Sequence, residues 1–189
     1  MVINLITFAS ILHKQASVRS SHEVILTELE KYFTVNFIDY KDIDKLSPDD
    51  FSIIFIATGG VERLVIQHFE SLPRPAILLA DGMQNSLAAL EISSWLRGRG
   101  MKSEILHGEL PETIKRIFVL HSNFVAQRSL FGMRIGVMGT PSSWLVASNV
   151  DYLLAKRRWG IEYTDVSLDR IYEYYGQITD DEVGEACAG

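Results

Sequence analysis

Polar residues that could bind a ligand directly follow apolar runs of this sequence. Residues 58–60, Thr-Gly-Gly, follow one such run, and residues 81–86, Asp-Gly-Met-Gln-Asn-Ser, follow the next. The backbone N–H groups of Gly59 and Gly60 would suit an anion or a hydroxyl at a helix start, and Asn85 would add an amide. Both stretches also have a purely structural interpretation, because glycine allows tight turns and Asp, Asn and Ser cap helices.

No residue pattern in the sequence is typical of a catalytic centre. His107 and Glu109 lie close together, but two ligands alone do not form a metal site. Asp49 and Asp50 are adjacent, so their carboxylates point apart and do not suit paired acid–base chemistry. We therefore predict no catalytic residue and no metal ligand within these 189 residues.

The polar stretches need elements that bring them together. Apolar runs and helical spacings alternate along the chain, which predicts parallel strands joined by helical crossovers. The prediction is an α/β fold with a three-layer, flavodoxin-like or Rossmann-like parallel sheet, in which ligands bind beyond the carboxyl ends of the strands. The predicted strands are 2–8, 35–40, 52–57, 76–80 and 102–106, the predicted helices are 18–32, 62–69, 86–96 and 111–130, and 9–17 is a polar loop.

The last third of the sequence predicts the start of a second α/β unit. Residues 134–138 read as a strand, followed by a Gly-Thr-Pro turn and a helix 144–158 capped by Ser142 or Ser143. Trp144 could stack on a sugar face, but the core anchor of that helix is the favoured interpretation. We assign residues 1–131 to an N-terminal domain and 132–189 to the beginning of a central domain. Whether its two strands, 134–138 and 161–166, join the first sheet stays open.

Composition excludes several classes of function. The net charge of −6 argues against a nucleic-acid-binding protein. The single cysteine, Cys187, forms no disulfide framework. The apolar N-terminus has no preceding basic residue and is too short to span a bilayer. We therefore expect a cytoplasmic protein without nucleic-acid or membrane partners.

The run Gly-Thr-Pro-Ser-Ser-Trp-Leu-Val-Ala-Ser at 139–148 resembles the L-fucose/L-arabinose isomerase family. Residues 78–92, LLADGMQNSLAALEI, and 167–183, SLDRIYEYYGQITDDEV, are also similar to that family. The resemblance implies a parent enzyme that interconverts an aldose and a ketose. In it, Mn²⁺ or another divalent cation holds the sugar oxygens while two carboxylates move a proton through an enediol.

The resemblance also implies which part of the parent enzyme this chain represents. We expect a truncated N-terminal portion, inactive by itself, because the family's metal ligands and catalytic acids come after the region that this chain resembles. Its N-terminal domain would contribute to a homo-oligomer and to the wall of a neighbouring subunit's monosaccharide site. By position, the substrate-binding candidates in the first loop are His13, Lys14, Gln15 and Arg19. The alternative is a free-standing, non-catalytic sugar- or phosphate-binding flavodoxin-like module.

Overall fold

A computed structural model describes residues 1–10, 15–179 and 183–184, with the side chains of 15–17 left out. The chain forms two compact units, Met1–Phe124 (unit 1) and Val125–Gly189 (unit 2). Among the described residues, no helix combines the length and the apolarity needed to cross a membrane.

Unit 1 contains a five-stranded sheet in which all described strands are parallel. The strand order is β2-β1-β3-β4-β5, which is the flavodoxin-like order of a doubly wound sheet. The predicted α/β fold with a parallel sheet is therefore confirmed. The strands are β1 (Val2–Phe8), β2 (Thr34–Asp39), β3 (Ser52–Ile56), β4 (Ala76–Leu79) and β5 (Ser103–Leu106).

Helices cover both faces of this sheet and create three layers. One apolar core joins the first two helices and the fifth to residues such as Leu5 and Phe55. A second core joins the third and fourth helices to residues such as Ile6 and Ile54. Strand β3 is buried at every position, as expected for a central strand covered on both faces. The helices are α1 (Gln15–Ser21), α2 (Glu23–Tyr32), α3 (Glu62–Gln67), α4 (Met83–Gly98) and α5 (Leu110–Leu130).

The first predicted helix is wrong in two respects, and the first of them affects the site. The sequence predicts one helix over 18–32, whereas the structure has α1 and α2 separated at His22, whose φ is −122° and ψ is 23°. Helix α1 also begins at Gln15, inside the predicted loop 9–17. Ser20, Ser21 and His22 are weak helix formers, so little local preference holds the chain helical at this point.

Unit 2 contains a separate sheet of two parallel strands, β6 (Arg134–Met138) and β7 (Glu162–Val166). Its helices are α6 (Tyr152–Trp159) and α7 (Leu168–Tyr175). The question left open by the sequence is thereby answered, because the described β6 and β7 pair with each other and not with the first sheet.

The predicted helix over 144–158 is wrong at its start. Helix α6 begins at Tyr152, and Asp151 caps it by accepting a hydrogen bond from the Leu154 backbone N–H at 2.8 Å. Neither Ser142 nor Ser143 caps a helix. Residues 139–150 contain Gly, Pro, Ser, Asn and β-branched residues, which are poor helix formers, whereas Asp is among the best N-caps.

Candidate functional site

The carboxyl edge of the five-stranded sheet brings together polar groups from three strand ends. The strand order reverses between β1 and β3, and such a switch point is the usual ligand crevice of an open α/β sheet. There the backbone N–H of Ser10, just after β1, donates to Thr58 Oγ1, just after β3, at 2.8 Å. We call the residues gathered at this edge the switch-point cluster: Ser10, His22, Ala57, Thr58, Asp81 and Asn85.

His22 connects the break between α1 and α2 to the ends of β3 and β4. Its Nδ1 lies 2.7 Å from the carboxylate of Asp81, which follows β4. Its Nε2 lies 2.8 Å from the backbone carbonyl oxygen of Ala57, which follows β3. The ring also packs edge-on against Phe55, with 5.0 Å between ring centroids. Because His22 lies between two helices and not within one, its ring can reach over the sheet edge.

Both ring nitrogens of His22 act as donors. A carbonyl oxygen and an ionised carboxylate only accept hydrogen bonds, so each nitrogen facing them carries a proton. The Asp81 hydrogen bond raises the pKa of His22 above its usual value, with further help from the charge of Asp81 and from the Ala57 carbonyl, against the opposing effect of burial. At a pH below this raised pKa, His22 is an imidazolium that pairs with Asp81, and in that form it is not available as a general base.

Asn85 is a second hydrogen-bond donor to Asp81. Its side-chain amide donates to the backbone oxygen of Asp81 at 2.8 Å and to Asp81 Oδ1 at 3.2 Å. The same amide lies 3.3 Å from the Ala57 carbonyl oxygen. Asn85 therefore lies at the carboxyl edge of the sheet, as the sequence predicts. Asn85 and His22 contact the same two groups, the Asp81 carboxylate and the Ala57 carbonyl oxygen.

The two glycine candidates lie beside the cluster in the turn between β3 and α3. A Cβ built on Gly59 would lie 3.8 Å from the backbone oxygen of Gln84, so this turn runs close to the start of α4. Gly60 has a φ of +76°, which supports the structural interpretation of this residue as a turn glycine. Helix α3, with six residues and Val61 as its N-cap, is short and has no side-chain cap.

The candidates of the first loop are only partly described. His13 and Lys14 lie outside the described residues, and Gln15 begins α1 with its side chain outside them. Arg19 Nη2 donates to both carboxylate oxygens of Glu30, at 2.7 and 2.9 Å. The Arg19 guanidinium also stacks on Phe37, at 4.9 Å from the ring centroid. It lines a cleft of about 290 Å³ whose other lining residues are Thr7, Val18, Leu26, Phe37, Ile38 and Phe55. This arrangement gives Arg19 a structural partner, and it leaves the substrate role a prediction.

Trp144 belongs to unit 2 and does not anchor a core. Its side chain is 78% exposed, in an irregular segment before α6. The interpretation of Trp144 as a core anchor is therefore wrong, since no helix forms around it. Its role in stacking on a sugar stays a prediction.

The metal ion that the resemblance implies has no site in the described part of the chain. No group of three or more His, Cys, Asp or Glu side chains among the described residues is arranged to hold a metal. Within the switch-point cluster, His22 and Asp81 are already occupied by each other, and both His22 nitrogens carry protons. These residues do not fit a divalent ion, and no step of the function proposed below passes through a metal here.

A comparison with protein-family models found no match to this chain, and a comparison with curated proteins found no significant match. The resemblance to the L-fucose/L-arabinose isomerases therefore remains a prediction from the sequence.

His22 is the site residue that sequence reasoning missed. It lies inside a predicted helix, and its two partners, Ala57 and Asp81, lie far away in the chain. The available signal was the run Ser20-Ser21-His22, three weak helix formers within the predicted helix. A polar residue at a helix break that faces a sheet edge would have been a candidate for this position.

Proposed function

We propose that this chain is the N-terminal part of an aldose–ketose isomerase similar to the L-fucose isomerases, and that unit 1 forms a wall of a monosaccharide site. One observation supports the site in particular. At the switch point of the sheet, the Asp81 carboxylate accepts hydrogen bonds from both His22 and Asn85. Such a fixed acceptor suits the binding of sugar hydroxyls, which are donors.

In this proposal the switch-point cluster binds sugar and does not transform it. His22 does not act as a general base while both of its nitrogens donate hydrogen bonds, because proton abstraction needs a free acceptor. Asp81 is compensated by His22 and serves as an acceptor. The catalytic acids and the Mn²⁺ ligands of the parent enzyme lie, on this proposal, outside these residues. The parent acts as a homo-oligomer, as the resemblance implies, and in the cytoplasm, as expected from the N-terminal sequence.

A second candidate function is a free-standing sugar- or phosphate-binding module. The observation that favours it is that all members of the switch-point cluster belong to unit 1, Met1–Phe124. A binding site complete within one compact unit does not require the rest of an enzyme. The gene sequence distinguishes the two candidates, because a stop codon directly after Gly189 favours the module and a continued reading frame favours the isomerase.

The proposal is tested by measuring binding and turnover on the same preparation. Isothermal calorimetry with L-fucose and L-arabinose reports binding, and conversion of each sugar in the presence of Mn²⁺ reports turnover. We expect binding without turnover by the 189-residue chain. Turnover by this chain alone would contradict the assignment of catalysis to other residues, and the failure of both sugars to bind would contradict the sugar site.

A further inference from the structure

We propose that the Asp81 carboxylate is the ligand-binding group of the switch-point cluster, and that its ligand is an uncharged polyol whose hydroxyl groups donate to it. The inference rests on the sugar site proposed above and adds the contact residue and the charge of the ligand. It comes from the observation that His22 and Asn85 occupy only some of the hydrogen-bond acceptor positions of the Asp81 carboxylate.

The two members of the His22–Asp81 pair differ in their access to solvent. The His22 side chain is 10% exposed, whereas the Asp81 side chain is 28% exposed. The imidazole is therefore more buried than the Asp81 side chain, part of which is accessible to solvent. An ionised carboxylate has about four acceptor positions, and the described partners are two donors, His22 and Asn85. Acceptor capacity therefore remains for hydroxyl groups that approach from solvent.

The carboxylate is held in place before any ligand arrives. Asn85 contacts both the backbone oxygen and the side chain of Asp81, and it lies four residues along at the start of α4. His22 in turn is fixed by the Ala57 carbonyl and by the Phe55 ring. A group that is already ordered loses little conformational entropy on binding, which makes Asp81 a better ligand contact than a freely rotating surface carboxylate.

The charged residues at this edge of the sheet indicate which class of ligand fits there. The His22 imidazolium and the Asp81 carboxylate cancel, so the pair has no net charge to attract an ion. Two of the chain segments that border it, 57–60 and 81–85, contain no Lys or Arg, and the loop that follows Ser10 contains one, Lys14, whereas phosphate sites commonly use such cations. A neutral polyol therefore fits this edge better than a sugar phosphate or a metal ion.

The test is a titration of the 189-residue chain and its variants with L-fucose, followed by ¹H–¹⁵N NMR. In the wild-type chain we expect the largest shifts at the amides of Thr58, Gly59 and Gly82, and weaker binding of L-fucose 1-phosphate and of inorganic phosphate. Asp81→Asn keeps the size of the side chain and an oxygen that can accept from His22, but it removes the charge. We expect it to weaken L-fucose binding about ten-fold or more, as for the loss of a hydrogen bond to a charged group.

The matched control is Asp42→Asn, the same change at an exposed carboxylate that pairs with Lys45. We expect Asp42→Asn to bind L-fucose as the wild type does. Unchanged affinity in a folded Asp81→Asn variant, or wild-type shifts confined to the Arg19 cleft, would overturn the assignment to Asp81 but leave the sugar site. Stronger binding of phosphate than of L-fucose would overturn the neutral ligand and favour the phosphate-binding module. If the wild-type chain binds neither L-fucose nor L-arabinose, both proposals are wrong.

Discussion

The protonation state of His22 links the integrity of the carboxyl edge to pH. The Asp81 hydrogen bond raises the pKa of His22 in the folded chain above the unfolded value of 6.5. A group with a raised folded pKa contributes stability that is fully present below the unfolded pKa. That stability is lost as the pH rises through the folded pKa, because the imidazolium then loses a proton and with it one of its two donated hydrogen bonds.

We predict that His22→Gln flattens this pH dependence. In the wild-type chain the free energy of unfolding should fall as the pH rises from 6.5 through the raised pKa of His22, because the ring deprotonates in this window. In the variant this part of the decrease should be absent, since glutamine does not titrate. Urea denaturation of both proteins at several pH values measures the difference. Parallel pH profiles would show that His22 has no raised pKa in the folded state.

Part of the switch-point cluster could be predicted from the sequence. Asp81 and Asn85 are candidates because they closely follow an apolar strand, and strand ends of parallel sheets share one edge. His22 could not be predicted in the same way. Its role depends on a helix break and on partners from two other strands, and no local pattern encodes such distant contacts.

Among the helices and strands, α6 shows how capping decides where a helix begins. Several residues of this segment have side chains that can cap a helix, including the predicted Ser142 and Ser143, and the structure uses Asp151. The residues after Asp151 include good helix formers such as Leu154 and Lys156, whereas those after Ser143 are less favourable. The side-chain oxygen at the N-cap therefore acts where the following turn already prefers to be helical.

We predict that Asp151→Ala destabilises α6 by about 1 kcal/mol, the usual cost of removing an N-cap acceptor. Hydrogen exchange of the α6 amides measures this change directly, because it reports local opening. Asp151→Ser is the matched control and should keep most of the protection, since a serine hydroxyl can accept the same hydrogen bond. Equal exchange in Asp151→Ala and the wild type would mean that the cap contributes nothing.

The end of α6 gives a second prediction. Gly160 ends the helix with a φ of +70°, and a Cβ built on it would lie 2.3 Å from the Phe131 ring. Gly160→Ala should therefore destabilise unit 2 by about 1–2 kcal/mol from backbone strain alone, and the ring must also move. Gly98→Ala is the matched control, since Gly98 ends α4 and a Cβ there meets nothing within 4 Å.

We expect Gly98→Ala to be neutral or slightly stabilising, by about 0.5 kcal/mol, because alanine restricts the unfolded chain. Thermal unfolding of the two variants, followed by circular dichroism, compares them under the same conditions. A Gly160→Ala variant as stable as Gly98→Ala would contradict both the left-handed conformation and the contact with Phe131.

At the scale of the whole molecule, the two units differ in how much apolar surface they bury. Both cores of the five-stranded sheet lie in unit 1, with Leu5, Phe55 and Ile54 among their fully buried side chains. Among the described residues of unit 2, Ile161 is the one apolar side chain classed as buried. Burial of apolar side chains is the main stabilising contribution to folding, so unit 2 should open far more readily.

We predict a corresponding contrast in hydrogen exchange across the chain. Amides of β1 and β3 should exchange at least about 100-fold more slowly than those of β6 and β7, because protected amides concentrate where buried contacts are dense. Exchange followed by mass spectrometry resolves the two sets of peptides. Similar protection in β3 and β6 would show that unit 2 is stabilised by contacts outside its described residues.

The overall architecture was the most predictable part of the molecule. Apolar runs such as 52–57 predict strands because a parallel sheet is covered on both faces, and the long connections between them indicate parallel pairing. The separation of β6 and β7 from the first sheet could not be predicted in this way. Strand pairing between units depends on contacts that neither apolar runs nor helical spacing encode.

The parallel sheet also constrains the order in which this chain can fold. Every described strand pair joins distant segments, and even the nearest partners in sequence, Ile54 and Leu78, are separated by a whole helix. None of the described strand pairs is a hairpin that could form early and template the rest of the sheet. The ends of long connecting segments must therefore come together before the strands can pair. During synthesis, the central pair β1–β3 cannot form until Ile56 has left the ribosome. Until then β1, which is mainly apolar, has β2 as its one available partner among the described strands of this sheet, so its other edge is open to aggregation.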